Sequence, residues 1–249
     1  MIFNVGGSNG PVADFSYSGA WTGLKTDRNG HFEAAFFTSG TLTIRSLKKP
    51  VDVFLVGGGA NGAAAGTAMN HGGRGGSGGR CYNARSQRLT PGTGVSITVG
   101  GAGSNSTLGT LSSASGTAAS GGAGGICVGY KENYSDGGKG ADGVYPFGAS
   151  GSLPLLTGAS YNGKTYNLSA SRFGAAGGGG GGKNNVFVVF NPGAGGTTGG
   201  GRGASEAGAG VSGSFFGAGG GGGGPNGSAG TLWPAGSGFQ GIVIIRDAR

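Results

Sequence analysis

The chain has 249 residues, 67 of them glycine and 8 proline, with a formal net charge of +8 from 17 Lys+Arg against 9 Asp+Glu. Glycine and proline at this level belong with low-complexity compositions, yet only 10% of the residues are charged and compact apolar runs recur, whereas disordered chains combine low apolar content with high net charge. Collagen is excluded because a three-residue glycine period lapses soon after Gly72, Gly75 and Gly78 and proline is scarce, and no apolar stretch nears the ~20 residues of a membrane span.

Residues 1–30 mix apolar and turn residues, including Val12, Phe15, Tyr17 and Trp21, and are expected to form an N-terminal arm or short strands. From His31 the β signal strengthens: residues 31–38 and 41–45 flank Ser39-Gly40 as a hairpin or corner. Residues 51–56 are apolar at nearly every position and predict a central buried strand that runs straight into Gly57. Further β patterns are expected over 80–89 and 95–99, followed by 107–111 and a Ser/Ala/Gly tract; the middle third, with 126–134, 144–147, 153–156 and 161–168, reads as loop-like; 186–190 lies between the two full glycine runs, and the chain closes on the apolar run 242–245. Few segments have the length and period of a helix, and the glycines would break them.

Between these strands lie glycine runs, most fully at 177–182 and 219–224, with weaker ones at 57–59, 72–79, 121–125 and 195–203. In a helix or strand each glycine costs about 0.5–1 kcal/mol relative to alanine. The alternative is polyproline II geometry, where six residues rise about 19 Å and no side chain blocks a neighbouring chain. Such a helix has no internal hydrogen bonds, so several copies must satisfy one another. The expected fold is therefore all-β: a β-sandwich over residues 31–249 carrying a glycine-rich insertion at about 57–238 that forms a polyglycine II helix bundle.

Motifs that would carry chemistry fail on context. Gly158, Gly163, Lys164 and Thr165 fit G-x-x-x-x-G-K-[ST], but a phosphate loop needs a strand before it and a helix after it; an Asn162-Gly163 turn between two strands fits better. His31 and His71 have no carboxylate or thiol at ligand spacing, and the acidic residues are dispersed without an acid–base pair. Cys81 and Cys127 leave one disulfide open and match no metal motif. No cofactor, metal or enzymatic activity is expected. The basic residues are scattered, Lys48-Lys49 being the only adjacent pair, so a nucleic-acid partner is not expected, whereas attraction to an anionic cell surface is in keeping with the charge. The start of the chain has neither a basic nor a long apolar region, so no signal peptide is expected.

The ordered blocks FTSGTLTI (37–44), VDVFLVGGG (51–59), TPGTGVSITVGGAG (90–103), FGAGGGGGG (216–224) and GIVIIR (241–246) resemble the glycine-rich domain of bacteriophage and prophage tail proteins, also met in bacterial surface proteins. A similar plan occurs in the glycine-rich region of anaplastic lymphoma kinase-type receptors, whose dense cysteines this chain lacks. Distal tail-fibre adhesins of some phages also use a polyglycine bundle whose loops touch the host receptor. The resemblance implies a virion (tail) or extracellular surface protein. Its partners would be a bacterial cell-surface molecule, protein or glycan, and other tail proteins, with a homo-oligomer left open. A purely structural virion subunit is the alternative, and an ice-binding protein would need a regular Thr or Ala array that the irregular insertions oppose.

Receptor contacts are expected at large residues stranded between glycine runs: Tyr130, Lys131, Tyr134, Tyr145 and Phe147 in one group, Tyr161 with Lys164 in another, and Trp233 with Asn226 after the last run. Tyrosine and tryptophan give large contact area at low entropy cost. The competing reading is that these aromatics fold back to cap the bundle or its seam with the sandwich.

Overall fold

Alternation, and its absence, decides the strands. The structure is a computed structural model that describes residues 12–66, 71–128, 133–148, 153–169, 171–181, 191–205, 208–225 and 232–249, without the side chains of 126–135 and 225. Strands β1 (Ala13–Tyr17), β2 (Lys25–Thr26), β3 (Phe32–Phe36), β4 (Gly40–Leu47), β5 (Val51–Val56), β6 (Cys81–Gln87), β7 (Gly94–Thr98), β8 (Thr107–Leu108) and β9 (Leu111–Ser112) come first. Short hairpins follow: β10 (Ile126–Val128) with β11 (Asn133–Ser135), β12 (Ala159–Tyr161) with β13 (Lys164–Tyr166), and β14 (Gly224–Pro225) with β15 (Leu232–Trp233). The chain ends on β16 (Ile242–Asp247), and the described residues contain no α-helix.

Two five-stranded antiparallel sheets, ordered β1-β4-β7-β8-β9 and β2-β3-β16-β5-β6, form the sandwich. β1 and β2 sit at the sheet edges, so the paired chain begins at Ala13. β3 and β4 belong to different sheets, and the Ser39-Gly40 step is a corner. β4 buries Leu42 and Ile44 and exposes Thr41, Thr43 and Arg45, the pattern of a sheet with one wet face. β5 and β16 are instead buried at every position, because their sheet is covered on both sides. One face, with Val53, Leu55, Val243 and Ile245, meets Phe15, Leu42, Ile44 and Ile97 of the other sheet. The opposite face, with Phe54, Val56, Ile242 and Ile244, is covered by Phe147, Leu153, Leu168, Phe173 and Phe216 from the glycine-rich excursions.

The glycine runs leave the sandwich at the ends of β5 and β6 and lie side by side. Gly72, Gly75 and Gly78 donate their N–H groups to the carbonyls of Gly125, Gly122 and Ala119, while Gly73, Gly76 and Gly79 donate to Gly223, Gly220 and Gly217. In the run that includes Gly219, successive residues likewise address different neighbours: Gly219 and Gly222 reach Ala175 and Gly178, Gly220 and Gly223 reach Ala60 and Ala63, and Gly221 reaches Val211. Bonds to a given neighbour recur every third residue, and the neighbours run both parallel and antiparallel. Glycine is obligatory where the chains touch: a Cβ at Gly177 would stand 2.0 Å from Gly220 O, and one at Gly180 1.9 Å from Gly223 O. The glycines at 177–181 and 219–224 are all buried.

Candidate functional site at the far end of the glycine layer

The hydrogen bonds give the layer two ends. At the near end Gly57 N–H meets Arg80 O, Gly217 N–H meets Gln240 O and Gly174 N–H meets Phe216 O, all beside the sandwich. At the far end Gly72 pairs with Gly125, Gly125 with Gly180, Gly73 with Gly223 and Gly181 with Ala204. Hairpins β10–β11 and β14–β15 follow directly from these far-end glycines, with Cys127 opposite Tyr134 and Gly224 opposite Trp233. Tyr134 and Trp233 therefore share the far end; the Trp233 side chain is half-buried, and its neighbour Leu232 is 39% exposed.

The other expected contact residues divide. Tyr130, Lys131 and Asn226 lie outside the described residues. Phe147 is 5% exposed and belongs to the core at the near end. Its ring lies 5.9 Å from Phe54, with the Arg246 guanidinium 4.0 Å from its centroid. Its left-handed backbone (φ 56°) is held by Asn83 Oδ1 on its N–H and by Arg85, which donates to its carbonyl. Tyr161 stacks on Phe37 at 4.9 Å and 18°, and Tyr145 carries the Arg172 guanidinium 4.9 Å from its ring centroid. Phe147 thus lies in the core that covers the sheet, and Tyr161 is half-buried against it. The covered sheet has a second apolar face to bury, and aromatic side chains of the glycine-rich excursions bury it together with Leu153, Leu156 and Leu168.

Sequence reasoning missed a buried ion network on that sheet. Arg246 of β16 lies opposite Asp52 of β5 on one side and Glu33 of β3 on the other. Arg246 and Arg85 each reach Asp52 Oδ2 at 3.2 Å, and Ser86 N–H donates to Asp52 Oδ1. Glu33 accepts from Leu155 N–H at 2.9 Å and pairs with Arg249 at 3.2 Å. Asp247 is bonded by His31 Nδ1 at 2.7 Å, Phe32 N–H at 3.0 Å and Arg249 at 3.2 Å. His31 is thus not alone: its carboxylate partner stands 216 residues later.

Burial pushes the Glu33 carboxyl up, with the Leu155 N–H and Arg249 acting against it. Burial also pushes Asp247 up, but the bonds from His31, Phe32 N–H and Arg249 outweigh it and hold the carboxyl below its usual value. Desolvation lowers Arg246 despite Asp52. These carboxylates are all held by cations and backbone N–H groups, so the network fastens four strands, β3, β5, β6 and β16, and the excursion at Leu155 to one another.

The phosphate-loop pattern is a hairpin. Asn162 (φ 49°) and Gly163 (φ 72°) both take left-handed backbone between β12 and β13, as a tight two-residue turn requires. Cys81 is a buried free thiol, pushed up to about 12 by desolvation. Among the described residues no group of three or more His, Cys, Asp or Glu could hold a metal ion, and no helix is long and apolar enough to cross a membrane.

Comparison with curated proteins gives no match. The ordered glycine blocks, however, fit a family model described as glycine-rich domain over residues 36–247, which takes in everything from the end of β3 to the last residue of β16, and the chain belongs to that family.

Proposed function

We propose that this chain is a non-catalytic attachment protein of a phage tail or an extracellular surface, whose glycine layer is a polyglycine II bundle serving as a rigid mount. Residues at its far end, Trp233 and Tyr134 foremost, would contact a bacterial surface molecule, protein or glycan. The observation that carries this reading is the placement of β10–β11 and β14–β15 at the end of the layer remote from the sandwich. Both described ends of the chain lie at the opposite pole, where Lys48 N–H bonds Val12 O and Ala248 N–H bonds Pro50 O. A mount held at one pole and reading a surface with the other fits a chain whose buried charges are spent on fastening strands.

The test is binding of the labelled protein to a panel of intact bacterial cells, beside a Tyr134→Ala/Trp233→Ala variant whose fold is checked by circular dichroism. Saturable binding to a few strains, lost in the folded variant, supports the reading. Binding that survives the changes moves the contact elsewhere. A second reading, a structural virion subunit that binds only sister subunits, draws on Val211 and Leu232, apolar side chains 53% and 39% exposed on the glycine layer. It predicts no cell binding across the panel and a concentration-dependent oligomer by light scattering.

A further inference from the structure

The seam between the sandwich and the near end of the glycine layer holds a feature independent of the far-end reading. The chain leaving β5, the residues that lead into β6 and the loop between β7 and β8 enclose a cavity of about 280 Å³, whose lining includes Ser77, Arg80, Ser104 and Asn105. All four are exposed, so the cavity opens to solvent. Its walls are fixed by backbone: Gly58 N–H holds Ser104 O at 2.8 Å, Gly103 N–H holds Gly59 O at 2.9 Å, and Ala60 N–H holds Ser77 O at 2.9 Å. Both walls hang on the 58–60 segment, so a ligand meets them already in place.

Arg80 is the one charged residue of the lining, and none of the ion pairs among the described residues uses it. The described acids are engaged elsewhere. Asp14 faces Arg45 at 3.6 Å, and Asp27 caps its own turn through the N–H groups of Asn29 and His31. Glu33, Asp52 and Asp247 belong to the buried network, and Asp136 and Asp142 hold the N–H groups of Asn191 and Thr197. Arg80 Nη1 donates to the carbonyls of Ala114 at 3.3 Å and Gly116 at 3.0 Å, which steadies the guanidinium. Its other edge, Nε with Nη2, remains for a ligand. Asn105 Oδ1 accepts from Ser113 Oγ at 3.3 Å, which orients the amide and leaves its NH₂ group to donate. The Ser77 and Ser104 hydroxyls can each donate and accept.

The donor set narrows the ligand. A single guanidinium with no second cation balances one carboxylate, which its free edge grips through two parallel bonds. The rest of the lining is hydroxyl, amide and glycine backbone, and its only apolar side chains are the methyls of Ala60 and Ala118. That surface matches a ring bearing hydroxyls and offers nothing to the body of an aliphatic or aromatic acid. A volume of about 280 Å³ lies just under the usual range for small-molecule sites, about 300–1,000 Å³, and suits one sugar ring whose neighbours stay in solvent. We propose that this cavity binds a hexuronate residue of a glycan, with the carboxylate on Arg80 and the ring hydroxyls on Ser77, Ser104 and Asn105.

The probe is galacturonate, titrated into the full chain at low salt and followed by amide chemical shifts. Galactose, which lacks the carboxylate, and acetate, which lacks the ring, are the controls. The expected result is saturable shifts centred on Ser77, Arg80, Ser104 and Asn105, with each control about tenfold weaker or more. Digalacturonate should bind at least as tightly as the monosaccharide. Arg80→Gln should lower affinity about tenfold or more, the loss of a charge-assisted pair of bonds. Because Arg80 also holds the carbonyls of Ala114 and Gly116, a second variant separates a lost contact from a displaced loop. Asn105→Asp keeps the acceptor for Ser113 Oγ, removes the amide donors and sets a like charge against the ligand, and it should cost about tenfold or more as well. Tyr134→Ala/Trp233→Ala should bind galacturonate as the parent does, which distinguishes this site from the far end. The proposal is overturned by an absence of saturation up to about 20 mM, roughly the weakest affinity a built site would show. It is also overturned if acetate binds as tightly as galacturonate, if digalacturonate is excluded, if the far-end variant loses binding, or if Asn105→Asp leaves affinity unchanged.

Discussion

Gly180→Ala tests the packing of the glycine layer most directly. A Cβ there would lie 1.9 Å from Gly223 O and 2.8 Å from the Gly223 carbonyl carbon. Because the obstacle is backbone, a rotamer change cannot relieve it. The Gly180 N–H donates to Gly73 O at 2.9 Å, Gly180 O accepts from Gly125 at 2.8 Å, and Gly223 O accepts from Gly73 at 2.7 Å. Separating these chains enough to admit a methyl breaks two or three of those bonds in a buried setting, at about 1–3 kcal/mol for each group left unsatisfied. Alanine recovers only about 0.4–1 kcal/mol by restricting the unfolded chain. The net loss should be about 3–6 kcal/mol, a large part of the 5–15 kcal/mol typical of a folded domain. Gly158→Ala is the matched control: nothing lies within 4 Å of its Cβ position and its φ is not left-handed, so it should be neutral or stabilise by about 0.4–1 kcal/mol. Urea unfolding can be followed by the two tryptophans, Trp21 in the sandwich stacked on Phe36 and Trp233 at the far end. Loss at Trp233 should precede loss at Trp21 in the variant. If Gly180→Ala unfolds within about 1 kcal/mol of the parent by both probes, the chains are not in the contact described and the argument for glycine at these positions fails.

Four more outcomes can be checked. Asp247, whose folded pKa is lowered, contributes stability that is present above its unfolded value near 4 and lost as pH falls through the folded value; Asp247→Asn should cost about 3 kcal/mol at pH 7 and flatten the acid limb of a stability–pH curve from thermal melts. Glu33, whose pKa is raised, works the other way, so Glu33→Gln should lose proportionally less at pH 7 than at pH 4. Phe147→Ala should destabilise by about 3–5 kcal/mol, whereas Trp233→Ala should leave stability within about 1 kcal/mol while changing cell binding, a contrast that chemical denaturation alone can check. The Cys81 thiol, buried and pushed up to about 12, should resist iodoacetamide at pH 8 in the native protein and react once urea unfolds it, as mass spectrometry would show.

Much of the sandwich was legible because side chains there obey periods. Alternation marked β4 and β7, unbroken apolar runs marked β5 and β16, and Asn162-Gly163 marked the β12–β13 turn. The sheet to which each strand belongs was less visible, as the corner at Ser39-Gly40 illustrates. The ion network was invisible for a different reason: Arg246 meets Asp52 across 194 residues and His31 meets Asp247 across 216, and nothing local marks such pairs. The candidate site was legible in part. Trp233 and Tyr134 stand in the far-end hairpins as large residues between glycine runs, but Phe147 and Tyr161 looked the same in sequence and turned inward. A run of glycine carries no face, so it cannot tell which of its flanking aromatics has a core to fill.

The same lack of a face explains why the glycine layer grows out of the sandwich's central strands. Val56 pairs with Ile242 and with Cys81, and the pairing continues beyond the sheet as Gly59 N–H to Phe239 O and Gly62 N–H to Gly236 O on one side. On the other side Gly57, Ala60 and Ala63 donate to Arg80, Ser77 and Arg74. The partners stay the same while the spacing of the bonds changes from every second residue to every third. Within glycine alone, sliding one chain past another by three residues would restore every bond, so the layer cannot fix its own register. In the sheet, a one-residue slip of β5 would carry Phe54 and Leu55 to the wrong faces, out of two separate cores. The register set by those side chains is handed to the glycine chains through Gly57 and Gly241, and the position of Trp233 relative to the sandwich is set by residues that never touch it.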